Sequence, residues 1–242
     1  NKVWPEKKPY QAAGVLYNGM LHSLKGFTVK GFIWYQGCSN WRDPQLYKRL
    51  QPSFVRMLRR EWENDTLPFY FVQLAQYRTI LPEFKWIQAQ TLDLIPFSGM
   101  ASAHDVGEYS CIHPSDKETV GDRLAFLALT KDYGFGHIDA DTPVPIKFEF
   151  QEGQAVVTFK VGEMGLSPRA QDIDGFELAG EDRVFYPAKA RLMPGDGKSI
   201  KVYDCPQVSH PVAVRYAMSN WCPATLYNCS GIPASPFRSD NW

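Results

Sequence analysis

The stretch VKGFIWYQGCSNWRDP, residues 29–44, passes from a short aromatic and β-branched run into a polar cluster and then into Asp43-Pro44. Such a run, stopping at Gly37, suits a buried strand. Asp43 supplies an N-cap and Pro44 a first-turn proline. Beyond them Tyr47, Leu50, Phe54, Leu58 and Trp62 recur at three- and four-residue spacing, which predicts a helix of about five turns. Upstream, GVLYNGMLHSL sets Leu16, Met20 and Leu24 on one helical face. Downstream, LPFYFVQLA reads as a second buried strand, FKWIQAQTLDLI as a helix and GMASA as a short strand. Ser115-Asp116-Lys117-Glu118 reads as a capping box opening a helix that carries Val120, Leu124, Leu127 and Tyr133. Strand alternating with helix predicts a parallel sheet covered on both faces.

After TPVP at 142–145 the pattern changes to short alternating segments, IKFEFQ, AVVTFKV, SIKVYD and VAVRYAM, separated by Gly, Pro and Asp turns. That is an antiparallel β pattern. The expected organisation is an α/β domain over 1–141, an antiparallel β domain over 142–226, and a tail over 227–242 that packs back on the first domain.

Composition removes several function classes. With 242 residues, 44% of them hydrophobic, the chain can bury a substantial core. Lys+Arg and Asp+Glu are equal at 26 each, so no net field draws nucleic acid or an anionic membrane. No apolar run approaches the ~20 residues that span a bilayer. The five cysteines, at 38, 111, 205, 222 and 229, lack the paired spacing of a zinc site, so neither metal nor cofactor is expected. The chain opens at Asn1 with neither an initiator Met nor a signal peptide, and reads as part of a longer product.

Gly37 to Asn40 follows a strand of the parallel sheet, where such folds place their ligands. Ser39 is a poor nucleophile candidate, because GCSNW lacks the second glycine of the strand-turn-helix elbow. The Asn40 carboxamide and the Gly37 N–H suit an oxyanion site; the alternative is a polar turn leading into the helix. In DVGEYSCIHPSDK, residues 105–117, His113 lies between a strand and a capped helix. A general base and a merely structural histidine both fit that position.

Together IWYQGCSN, PFYFVQLA, CIHPSDKETVGDRLAFLAL, FELAGED, AVRYAMSN and LYNCSGIPASPFR resemble the sialate O-acetylesterase family of SGNH-type hydrolases, in order and over nearly the whole chain. The resemblance implies a three-layer α/β/α esterase domain with a flavodoxin-like parallel sheet, incomplete at its N-terminal side, beside a smaller antiparallel β domain. It implies metal-free cleavage of O-acetyl groups from sugars such as sialic acid. Gly37 and Asn40 fall in its oxyanion block and His113 is its base. Trp34, Tyr35, Trp41 and Arg42 border that block and, with Gln36, are candidate sugar contacts, the alternative for aromatics at a strand end being a place in the core. Its nucleophilic serine sits in an upstream Gly-Gln-Ser-Asn block that is absent from this sequence. An N-terminal fragment or copy is therefore the expected partner, and the chain alone is expected to be inactive.

Where relatives often carry carboxylates this sequence has Cys38 and Cys111. Asp105, Glu108 or a backbone carbonyl is then left to orient His113. The family's fold also brings Cys38 and Cys111 close, which implies a disulfide and a periplasmic or secreted location, two free thiols being the alternative. The competing function is a non-catalytic carbohydrate-binding or structural fragment.

Overall fold

The structure, a computed structural model, describes Tyr10 and residues 12–242. The other positions of the expected first domain, 1–9 and 11, lie outside the described residues. Strands β1 (Phe32–Trp34), β2 (Phe69–Gln73) and β3 (Ser98–Ser102) form a parallel sheet in that order. Every residue of β2 is buried because helices cover both faces. Its residues alternate between those faces, as the two-residue period of a strand requires. Phe69 and Phe71 meet Val55 and Leu58 of α1 (Pro44–Glu61) and Ala89 of α2 (Pro82–Gln90). Tyr70 and Val72 meet Leu127, Leu124 and Val120 of α3 (Glu118–Asp132).

Helix α1 starts as expected: the Asp43 carboxylate accepts the Leu46 N–H at 3.0 Å and Pro44 occupies the first turn. Its buried stripe is Tyr47, Gln51, Val55 and Leu58, whereas Leu50 is exposed. Helix α3 is capped differently from the expectation. Asp116, not Ser115, accepts the Thr119 N–H at 3.0 Å and its hydroxyl at 2.7 Å, while the Ser115 N–H is taken by Glu108 at 2.6 Å. The predicted helix around Leu16, Met20 and Leu24 is reduced to a π turn (Tyr17–Leu21) and a 3₁₀ turn (His22–Leu24). All three side chains are exposed, and only Leu21 packs inward on the cluster around Phe32 and Trp34.

From Val144 onward the chain is antiparallel. Strands β4 (Val144–Gln151), β5 (Gln154–Lys160), β9 (Lys189–Leu192) and β10 (Ser199–Tyr203) form one four-stranded sheet in the order β4-β5-β10-β9. A second runs β13-β11-β7-β8, from Phe237–Arg238, Ala213–Tyr216, Phe176–Ala179 and Phe185–Pro187. Strands β6 (Leu166–Ser167) and β12 (Tyr227–Asn228) pair separately. The two larger sheets share a core of Val157, Phe159, Ile200 and Val202 against Phe176, Leu178, Val214, Tyr216 and Phe237. Inward-facing residues of two sheets meeting in this way make a β-sandwich. Because β12 and β13 lie in the last sixteen residues, hydrogen bonding carries the antiparallel region to Arg238.

Candidate active site

Two loops leave the carboxyl ends of the parallel strands and meet. The first, Tyr35–Asn40, follows β1. Gly37 is buried at φ +145°, and a Cβ there would come within 3.0 Å of the Phe84 ring, so conformation and space both require glycine. The Asn40 N–H donates to the Gly37 carbonyl at 2.7 Å and the Asp43 N–H to the Asn40 carbonyl at 3.0 Å, which winds the loop into α1. Gln36 Nε2 donates to Asn40 Oδ1 at 2.7 Å, and the Tyr47 hydroxyl donates to the Gln36 carbonyl at 3.3 Å. Burial pushes the Tyr47 hydroxyl up to about 12, so it remains a donor. With Oδ1 occupied, the Asn40 amide hydrogens and the Gly37 N–H carry no hydrogen bond among the described residues.

The second loop, 103–117, runs from β3 to α3 and carries His113. The imidazole is exposed and makes no hydrogen bond among the described residues, while the Cys111 thiol donates to the His113 carbonyl at 3.2 Å. Ile112 from this loop and Trp41 from the end of the first pack on one apolar footing of Tyr47, Leu74, Ile80 and Phe84. The Lys117 ammonium lies 5.2 Å from the Tyr35 ring centroid. The two loops thus rest on the same cluster.

Neither carboxylate expected to orient His113 does so. Asp105 is held bidentately by Arg123 at 2.6 and 2.7 Å, because a guanidinium only 5% exposed needs a paired anion. Glu108 accepts the Ser115 N–H, which keeps its carboxyl below the usual carboxylate range. The expected disulfide is also not formed: Cys38 and Cys111 are free thiols, and burial pushes the Cys38 thiol up. Arg42 is exposed with its guanidinium 5.3 Å from the Trp41 ring, and Tyr35 is exposed. Trp34 stacks on Phe54 at 4.5 Å in the core.

Behind the second loop lies a buried polar layer that sequence patterning did not reveal. Gln73 Nε2 donates to the Lys85 carbonyl at 2.8 Å and to the Ser235 hydroxyl, while its Oε1 accepts from Ser102 at 2.9 Å. Lys85 and His104 are fully buried, and the Lys85 side-chain nitrogen and both His104 ring nitrogens lack hydrogen-bond partners among the described residues. Burial lowers the Lys85 amine to about 7 and holds the His104 imidazole well below its ordinary value, so burial shifts both toward their neutral forms. A lysine at helical spacing looks in sequence like a solvated face, and the only signal for His104 was its place directly after a strand. Among the described residues no group of three or more His, Cys, Asp or Glu stands ready to hold a metal.

The chain matches the family model described as carbohydrate esterase, sialic acid-specific acetylesterase, over residues 3–129. It is similar to sialate O-acetylesterase from Mus musculus, at 29% identity over 92% of this chain and 46% of the relative. The Homo sapiens protein of that name is 27% identical over 92% and 48%. Among solved structures it is similar to a carbohydrate acetylesterase from Xanthomonas citri, with a TM-score of 0.86 and 37% identity over 94% of this chain and 54% of that one. The chain therefore spans about half the length of the curated relatives it matches. On the family match, which covers more than half of its residues, the chain belongs to the sialic acid-specific acetylesterase family of carbohydrate esterases.

Proposed function

We propose that this chain is the base-and-oxyanion portion of an SGNH-type carbohydrate O-acetylesterase, acting on acetyl esters of sialic acid or a related glycan. The observation that carries the reading is the Gln36 to Asn40 hydrogen bond. It occupies Oδ1 and leaves the Asn40 N–H₂, like the Gly37 N–H, without a hydrogen bond among the described residues, two donors on the loop whose neighbour Trp41 shares an apolar footing with Ile112 of the His113 loop. A serine attacks the acetyl carbonyl, His113 Nδ1 or Nε2 takes its proton, and the two donors hold the tetrahedral oxyanion; its collapse breaks the ester bond and expels the sugar hydroxyl, which receives that proton from His113. Water, deprotonated by His113, then attacks the acyl-enzyme, and acetate leaves as the serine takes the proton back. Gln36, Trp41 and Arg42 border the sugar.

In this reading the serine lies outside the chain, on an N-terminal segment or copy. The sequence holds no Gly-Gln-Ser-Asn block, the relatives are about twice as long, and among the described residues β1 is an edge strand with Ile33 71% exposed. The group that orients His113 then also comes from that segment or from a backbone carbonyl, since Asp105 and Glu108 are engaged elsewhere. A periplasmic or secreted location belongs to this reading on the family resemblance, since the disulfide that also argued for it is not formed. The competing reading, a carbohydrate-binding fragment without turnover, is favoured by the unpartnered imidazole.

The test is acetate release from O-acetylated sialic acid by the chain joined to its nucleophile-bearing segment. Replacing His113 by Ala is expected to lower kcat by about a hundredfold or more. Equal turnover by the His113→Ala variant contradicts the assignment, and no turnover by the joined wild type favours the binding fragment.

A further inference from the structure

Arg123, on α3, is 5% exposed and joins three parts of the molecule. Nη1 donates to the Ser102 carbonyl at 2.7 Å, at the end of β3, and to Asp105 Oδ1 at 2.6 Å. Nη2 donates to Asp105 Oδ2 at 2.7 Å and to the Gly231 carbonyl at 3.2 Å. One guanidinium therefore ties the last residue of a parallel strand, the start of the His113 loop and the turn after β12. Gln76, 3% exposed, makes a parallel link: Nε2 donates to the His104 carbonyl at 2.7 Å and Oε1 accepts the Cys222 N–H at 2.6 Å. Gly107 lies so close over Gln76 that a Cβ there would meet its carbonyl oxygen at 2.5 Å. Tyr109 then packs edge-on against Trp221, ring centroids 5.6 Å apart.

Residues 104, 105, 107 and 109 are thus each held from outside the loop, and Glu108 closes it on the Ser115 N–H, two residues past His113. Three residues of the antiparallel region take part in this: Gly231 through Arg123, Cys222 through Gln76, and Trp221 directly on Tyr109. We propose that Arg123 and Gln76 are positioning residues for His113, through which the antiparallel region fixes the base relative to the oxyanion loop. The proposal rests on the reading of His113 as the base. Its chemistry is particular to arginine, because two parallel N–H bonds to Asp105 with further donors left for two carbonyls need the planar five-donor fork, which lysine lacks. A role confined to stability would weaken the fold without loosening this loop ahead of the rest.

The experiment compares Arg123→Lys and Trp221→Ala with wild type in the full chain, reading amide hydrogen exchange of 103–113 against 154–160. Turnover is then read after joining the nucleophile-bearing segment. For Arg123→Lys the expected result is exchange about tenfold faster over 103–113 with β5 unchanged, and kcat lower by about tenfold to a hundredfold at constant KM. Trp221→Ala shifts both in the same direction by less. Unchanged exchange over 103–113 in both variants overturns the proposal, as does faster exchange with unaltered kcat. If Arg123→Lys fails to fold, Gln76→Met, which removes the link between His104 and Cys222, is read in the same way and decides instead. A joined wild type without turnover sinks the esterase reading instead, and the exchange result still decides whether the loop is held from the antiparallel region.

Discussion

On its β1 side the parallel sheet ends, among the described residues, in a strand whose Ile33 side chain is 71% exposed, whereas the carboxyl ends of β2 and β3 meet the antiparallel region through buried polar side chains. There Gln73 reaches Ser235, Gln76 reaches Cys222 and Arg123 reaches Gly231, and all three side chains are 5% exposed or less. Both regions belong to one small sheet, and both border the loops of the candidate site. The difference teaches that the His113 loop is supported within this chain, while the side bearing Gly37 and Asn40 still offers a strand edge. An unpaired apolar edge is costly to leave in water and is a ready template for another strand.

The largest effect is expected on the open side. Gly37→Ala adds a methyl group 3.0 Å from the Phe84 ring at a backbone angle that disfavours alanine. It should displace one oxyanion donor and lower kcat of the joined enzyme by about a hundredfold or more, measured in steady state, with α1 retained by circular dichroism. Retained activity would mean that the loop is not part of the site, and the comparison would lose its functional meaning.

The closed side is probed through Lys85. Its unfolded amine keeps a proton up to about 10.4, while the folded amine releases it at about 7. Between those values the unfolded chain binds more protons, so stability should rise as pH increases from 7 toward 10. Below 7 that contribution is constant. His104, also depressed, adds a loss of stability as pH falls below its ordinary value of about 6.5. Lys85→Met should flatten the alkaline slope and stabilise the chain at pH 7 by on the order of a few kcal/mol, read from urea unfolding across pH. A slope unchanged by the substitution would show that Lys85 is not the titrating group.

The exposed edge gives a smaller effect. Wild-type chain at high concentration should self-associate by sedimentation velocity, and Ile33→Lys should shift it toward monomer, since lysine is a usual guard of sheet edges. A monomeric wild type would remove the contrast between the two sides. The smallest effect is local: Asp43→Ala removes the α1 N-cap and should cost about 1 kcal/mol in thermal or urea unfolding.

Some of this contrast could be read in the residues and some could not. Asp43-Pro44 marked the start of α1, and the runs LPFYFVQLA and GMASA marked the parallel strands to within a residue or two, because turn chemistry and burial act locally. The positions of Gly37, Asn40 and His113 in loops after strands were legible for the same reason. The buried polar layer was not. Lys85, Gln73, Gln76 and Arg123 have the composition of solvated faces, and only long-range contact, up to 162 residues apart for Gln73 and Ser235, turns them inward. Leu50 shows the converse: helical spacing placed it in the stripe of α1, yet the buried stripe runs through Gln51, which accepts from the Thr91 hydroxyl at 3.0 Å. The acids near His113 misled for a related reason, since proximity in sequence does not reveal a buried arginine that claims Asp105 first.

The central claim is that this chain holds the base and the oxyanion donors but not the nucleophile. Its most direct test is hydrolysis of p-nitrophenyl acetate by the purified 242-residue chain, alone and joined to the segment that precedes it in a full-length relative. Only background hydrolysis is expected from the chain alone, and turnover from the joined protein that disappears when the segment's Gly-Gln-Ser-Asn serine is replaced by alanine. Turnover by the chain alone that survives His113→Ala would contradict it.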